Sequence, residues 1–200
     1  MTSPLGRCLA LVTLLTLAGC AGRDFTRATP DSLVLGKTTY AEIVARFGTP
    51  YREGTMLRND QMVKHISYAY SVAGGTPLHD GVTPARAQAF YFADLVLVGH
   101  DFSSSFKDDH TDFPEAKVAE IKKGETKEAA VVELLGLPGG LYVFPLVRKE
   151  DRGFVYTYNQ TRVEPIPFAP KVKHYQKEVV VSVGADGTVT SVQFNASGEK

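Results

Sequence analysis

The sequence predicts an α+β fold made of two tandem units, each a helix-turn-helix packed on an antiparallel sheet. Three observations predict it. An internal repeat runs at a constant offset, a stretch with helical apolar spacing opens each repeat, and period-two strands follow it.

The repeat pairs Leu33 to Pro50 (LVLGKTTYAEIVARFGTP) with Ile121 to Pro138 (IKKGETKEAAVVELLGLP). Gly36 falls on Gly124, Thr38 on Thr126, Val44 on Val132, Gly48 on Gly136 and Pro50 on Pro138, an offset of 88 throughout. It continues without a gap to Tyr68 and Tyr70, which fall on Tyr156 and Tyr158. Eight of 38 aligned positions are identical, where average residue usage gives roughly two.

Within each unit Thr38 or Thr39 caps a helix, and Thr39-x-x-Glu42 has the form of a capping box. Tyr40, Ile43, Val44 and Phe47, and then Val131, Val132 and Leu135, follow helical spacing. Gly48 and Gly136 stand where positive φ ends a helix, and Pro50 and Pro138 block its continuation. Asp112 to Ile121 reads as a short first helix, so that each unit opens helix–turn–helix. Met62 to Val72 and Gly153 to Thr161 alternate as strands covered on one side. The first unit closes with Gln88 to Phe92 and Leu95 to Phe102. The second closes with a hairpin, Glu178 to Val183 and Thr188 to Phe194, about the turn Gly184-Ala-Asp-Gly187.

The first twenty residues have another purpose. Arg7 precedes an uncharged apolar run, Cys8 to Ala18, of 11 residues, about half of the ~20 a membrane-spanning helix needs. It reads as the h-region of a signal peptide. The chain therefore divides into a signal peptide (1–19), a lipidated tether (20–31), a first unit (32–106), a linker (107–116) and a second unit (117–200). The segment Ala21 to Pro30 is polar and unpatterned, as a flexible tether is.

Composition narrows the function. Lys+Arg and Asp+Glu both number 22 and no basic block occurs, which argues against a nucleic-acid surface. Of the two cysteines, Cys8 leaves with the signal and Cys20 is lipidated, so the mature body has no thiol for a disulfide, a nucleophile or zinc. Gly36-Lys37-Thr38 imitates the end of a P-loop, but the glycine it needs five residues earlier is Asp31. Ser104-x-x-Lys107 has no partner motif of a penicillin-recognising enzyme. His100, Asp101, Asp108, Asp109, His110, Asp112 and Glu115 form the densest polar cluster. Phe113 stands where an EF-hand loop needs glycine, and the cluster reads as an acidic linker entering a helix, with a divalent-ion site as the competing reading. The expectation is a chain with no catalytic residues, no cofactor and no metal.

Leu17-Ala18-Gly19-Cys20 resembles the lipobox of bacterial lipoproteins. The resemblance implies acylation of Cys20, membrane attachment through the lipid and, since Ala21 follows, the periplasmic face of the outer membrane. The pattern G-x-T-x4-[IV]-V-x2-[FL]-G-x-P followed by paired aromatics resembles the SmpA/OmlA (BamE-like) family of outer-membrane lipoproteins. Its tandem copy resembles the β-lactamase-inhibitor-protein architecture. Together these imply a protein–protein interaction module in envelope or outer-membrane protein assembly. Its partners would be envelope proteins, the barrel-assembly machinery among them. The alternative is an inhibitor of a periplasmic or secreted hydrolase. Strand parity nominates the surface: Ile66, Tyr68, Tyr70, Phe154, Tyr156 and Tyr158 are what helices cover. His65, Ser67, Ala69, Val155, Thr157 and Asn159 would then form a face of small or uncharged side chains that receives the partner.

Overall fold

Both stretches with helical spacing form helices, but each is stopped after eight residues. The computed structural model describes residues 22–166 and 169–200; the signal peptide and Cys20 lie outside them. Helix α1 is Tyr40–Phe47 and helix α2 is Glu128–Leu135. Thr39 and Glu42 form the expected capping box on α1, whereas Lys127 precedes α2 without a side-chain cap. Gly48 (φ 80°) and Gly136 (φ 84°) end the helices, their N–H groups reaching the carbonyls of Val44 and Val132. A β-carbon is strained at such angles.

The strands are β1 (Arg52–Arg58), β2 (Gln61–Ser71), β3 (Val82–Thr83), β4 (Ala85–Ala93), β5 (Val96–Ser104), β6 (Gly140–Tyr142), β7 (Arg152–Glu164), β8 (Lys171–Val183) and β9 (Val189–Gly198). They join into one antiparallel sheet in the order β1-β2-β4-β5-β6-β7-β8-β9, with β3 paired to β7. This corrects the expected α+β pair of helix-turn-helix units. The chain is β-rich, a single curled sheet with 47% strand against 14% helix. The first helix expected in each unit is only a turn of 3-10 helix, Pro30–Ser32 and Glu115–Glu120. The reason is length: Val118 and Ile121 need one turn to bring them side by side into the core, and the Gly–Thr turn follows at once. Nor does each half keep its own sheet. Strand β6 is three residues long and pairs with both β5 and β7. Beyond its end β7 runs against β5, where Thr157 Oγ1 donates to the Phe102 carbonyl at 3.1 Å.

The repeated residues do repeated work. Thr38 Oγ1 accepts from the Val34 N–H at 2.9 Å, and Thr126 Oγ1 from the Lys122 N–H at 2.7 Å. The N–H groups of Gly36 and Gly124 reach Leu97 and Val189 on the last strand of each half, both at 2.8 Å. Tyr68 Oη donates to the Gly48 carbonyl at 2.9 Å and Tyr156 Oη to Gly136 at 3.0 Å. Each tyrosine thus ties a helix end to the sheet, and burial pushes the Tyr68 hydroxyl up to about 12.

Each helix covers one core on the same side of the sheet. Ile43, Ile66, Tyr68, Phe90, Phe92 and Leu97 fill the first; Val131, Leu135, Phe154, Tyr156, Val179 and Val181 are among those filling the second. Ile43 is 2% exposed, a burial that contributes about 1.5–3 kcal/mol. The expected flexible tether is also corrected where the structure describes it. Phe25 packs 6.4 Å from Phe47 and 6.3 Å from Tyr68, and Ala28 is buried in the first core. A single aromatic and a single alanine were enough to dock it.

Candidate functional site

Among the described residues, the other side of the sheet carries no helix. In the first half its residues are small. Ser67 lies opposite Ala89 and Ala69 opposite Ala87 across β2 and β4, and Ala87 faces Ser103 on β5. Asn159 of β7 closes the row, donating from Nδ2 to Ser103 Oγ at 2.9 Å. A depression of about 310 Å³ is lined by Ala69, Ala87, Ser103 and Asn159, with Tyr51, 52% exposed, at its rim. Alanine and serine leave the backbone within reach of a partner's side chain, whereas larger residues would fill the trough. His65 sits further along β2, its ring over Gly54 and 6.3 Å from that of Tyr91.

In the second half the same side is covered by the chain itself. After β6, residues 143–147 fold back across the sheet, and Val147 packs on Val155 and Val180 beside Tyr142. Glycines make room: a β-carbon on Gly99 would lie 2.3 Å from Leu146 Cδ1, and one on Gly153 2.8 Å from Val147 Cγ1. Asn59, at the tip of the β1–β2 hairpin, fastens the cover by donating to the carbonyls of Pro145 and Val147 at 2.8 and 3.1 Å. Hence Val155 (0% exposed) cannot be offered to a partner, and neither can Thr157 (7%), whose hydroxyl is turned to the Phe102 carbonyl of β5. This corrects the expected surface, because parity gives the face of a strand but not what lies upon it. Part-buried His65, Ser67 and Ala69 and exposed Asn159 remain, joined by part-buried Ala87 and Ala89, while Ser103, 5% exposed, lies beneath them and holds Asn159. Those three occupy the matching parity of β4 and β5, a signal that alternation in Gln88 to Phe92 already contained.

At the boundary between cover and trough lies a polar group. Tyr142 Oη donates to Asp101 Oδ2 at 2.7 Å, and the Tyr91 ring is 5.2 Å from that of Tyr142. Burial raises the Asp101 carboxyl above its usual range against the hydrogen bond from Tyr142. Glu178 is raised as well, by burial and then by Asp101. The two acids repel, so one proton is retained more readily than on an exposed pair.

The acidic linker does not assemble into one site. Asp109 Oδ2 lies 3.4 Å from Arg86, and Asp112 Oδ1 lies 2.5 Å from Lys177. Arg86 pairs with Tyr70 across β2–β4, and Lys177 with Tyr158 across β7–β8. The linker therefore supplies the counterion for an equivalent cation in each half. Although burial alone would raise it, Lys177 and His79 hold the Asp112 carboxyl below its usual range. Glu115 accepts from Tyr175 at 2.5 Å. Among the described residues no three His, Cys, Asp or Glu side chains are grouped as metal ligands. Gly36 and Thr38, which imitate a P-loop, are occupied by the turn. No helix among the described residues is long and apolar enough to cross a membrane.

No protein-family model matches the chain, and no curated protein sequence does. One solved structure is similar, a chain from Streptococcus mutans provisionally named a beta-lactamase inhibitor protein. It is 15% identical, with 79% of this chain and 82% of that chain covered at a TM-score of 0.33. A likeness this slight carries no functional argument.

Proposed function

We propose that the chain is a lipid-anchored envelope protein that binds a partner protein on the helix-free side of its first half. The observation that carries this reading is the trough of Ser67, Ala69, Ala87 and Ala89, which only Gly22 of the described tether residues borders, at its bridge to Tyr70, on a sheet whose other half is covered by residues 143–147. A sheet face meant only to meet water carries charged or long polar side chains. Around Ala69 and Ala87 they are small, with Tyr51, Tyr70 and Arg86 at the edge of the depression and Arg52 opposite Ser67. Such a floor suits the aromatic anchors that dominate protein interfaces. The anchor itself rests on the lipobox-like Leu17 to Cys20, and the SmpA/OmlA-like spacing supports a place in envelope assembly.

The experiment is crosslinked capture from the membrane of the producing cell with the wild type and with Ser67→Lys plus Asn159→Lys. Both sites are at least partly exposed, so far-UV circular dichroism should be unchanged while capture is lost. Capture retained by the folded double variant would overturn the docking face. A barrel-assembly component as the captured partner would support assembly; a soluble hydrolase inhibited at equal stoichiometry would support inhibition instead.

A further inference from the structure

On the helix-bearing side, a groove of about 730 Å³ runs along the seam between the two cores. Its volume falls within the ~300–1,000 Å³ of small-molecule sites. Phe113, Leu135, Leu137 and Leu141 give it apolar lining, and Arg27 and His100 line it too, His100 beside Leu141 across β5–β6. Leu137 is 84% exposed at the mouth.

Two polar side chains in this groove have no hydrogen-bond or ion-pair partner among the described residues. The Arg27 guanidinium lies 4.5 Å over the Phe102 ring and enters none of the hydrogen bonds or ion pairs among the described residues. The carboxylate whose field reaches it, Asp109, is already engaged by Arg86 and by the Ser104 hydroxyl. His100 is 7% exposed, lines the groove, and enters none of the side-chain hydrogen bonds among the described residues. Asp112 also lines it, but its charge is matched by Lys177 at 2.5 Å. His110 stands exposed at the rim. The balance inside the groove is thus one uncompensated cation and one unpaired imidazole beside an apolar lining. Neither Arg27 nor His100 is among the side chains with a buried atom lacking a partner, so both are reached from the groove, where an anion meets two donors at once.

We infer that the seam groove binds a monocarboxylate with an extended apolar body, a fatty-acid-like ligand. Its carboxylate lies against Arg27 and His100 and its chain along Leu135, Leu137 and Leu141. The neutral imidazole donates one hydrogen bond and the guanidinium offers a forked pair, which carboxylate geometry matches. This site is on the opposite side of the sheet from the proposed docking face, and neither depends on the other.

The test is isothermal titration of residues 21–200, which contain both cores and every strand, with decanoate and decan-1-ol at pH 7.5. Decanoate should bind at least tenfold more tightly than the alcohol. Shortening it to octanoate should weaken binding by roughly tenfold, as loss of two buried methylenes does. Arg27→Gln should bring decanoate to the level of the alcohol and leave the alcohol unchanged. Leu137→Asp, at an exposed position that cannot disturb the core, should weaken decanoate more than decan-1-ol. Equal affinity for acid and alcohol, indifference of decanoate to both substitutions, or no binding at all would overturn the assignment. So would binding of a peptide bearing a free C-terminal carboxylate where decanoate fails, since the occupant would then be a polypeptide.

Discussion

Residues 52–64 and 140–152 are equivalent segments, set by the offset of 88, and they take opposite courses. The first runs out as β1 and returns as β2 through a tight turn at Asn59 and Asp60, both at positive φ. The second pairs for three residues, then turns back over the sheet as the cover of residues 143–147. Pro145 explains part of this, since it lacks the N–H a paired strand would use. Gly99 and Gly153 explain the rest, because the cover needs their missing β-carbons. Even the small contacts are exchanged. Gly54 lies opposite His65 in the first half, whereas Tyr142 lies opposite Gly153 in the second. The difference teaches that the repeated glycines, threonines and tyrosines specify a frame, while the unrepeated residues between them decide which face stays open.

The largest test of this comparison is at the join. A β-carbon on Gly140 would lie 2.2 Å from the His100 carbonyl oxygen and 2.6 Å from Asp101 Cα, both backbone. On Gly54 it would meet only the end of the His65 side chain, at 2.4 Å. Gly140→Ala should therefore cost about 3 kcal/mol and Gly54→Ala about 1 kcal/mol or less, a difference readable by urea denaturation. Equal costs would mean that β6 is not the rigid link between the halves.

The two halves should also differ in acid. Burial, and then Arg27, lower the His100 imidazole from 6.5 to about 4. The unfolded chain thus binds the proton first, and stability is present above pH 6.5 and lost as pH falls towards 4. The displacement corresponds to ~3 kcal/mol. Replacing His100 with Gln should flatten the profile between those limits. An unchanged slope would locate the acid sensitivity elsewhere.

Next come the tyrosine ties. Tyr68→Phe and Tyr156→Phe should each cost about 1 kcal/mol, and by nearly equal amounts. A cost confined to one would show that the equivalence is only geometric. The smallest effect sharpens the contrast at the helix starts. Thr39→Ala should cost about 1 kcal/mol by removing the capping box, while Lys127→Thr should gain about 0.5 kcal/mol by creating a cap.

Much of the frame was legible because its residues are punctuation with a local cause. Positive φ at Gly48 and Gly136 and the Thr39–Glu42 capping box follow from short-range geometry. The hydroxyls of Thr38 and Thr126, expected near the helix caps, instead close the preceding turns, and the strand pattern does not reveal the Tyr68 and Tyr156 ties to the helix ends. The sheet hid itself in two places. Strand β1 was missed because Arg52-Glu-Gly-Thr has little apolar alternation and gains its place by pairing at an edge. Strand β6 was missed because three residues hold no period. Helix length was overestimated in the first turn of each unit, where one 3-10 turn suffices. Of the surface nominated by parity, Ser67 and Ala69 are part-buried and Asn159 is exposed, whereas a loop remote from the strand pattern buries Val155 and strand β5 buries Thr157. The acidic segment reads as a linker with a divalent-ion site as the competing reading, and density alone does not reveal that Asp109 and Asp112 go to Arg86 and Lys177.

The central claim is that the open trough of the first half, and not the helix side, receives the partner. A photo-crosslinking amino acid placed singly at Ser67, at Asn159, and at Glu133 on the exposed surface of α2 would test it in living cells. Adducts of one common mass from positions 67 and 159, with none from 133, are the predicted result. An adduct from 133 alone, or from all three positions alike, would contradict it.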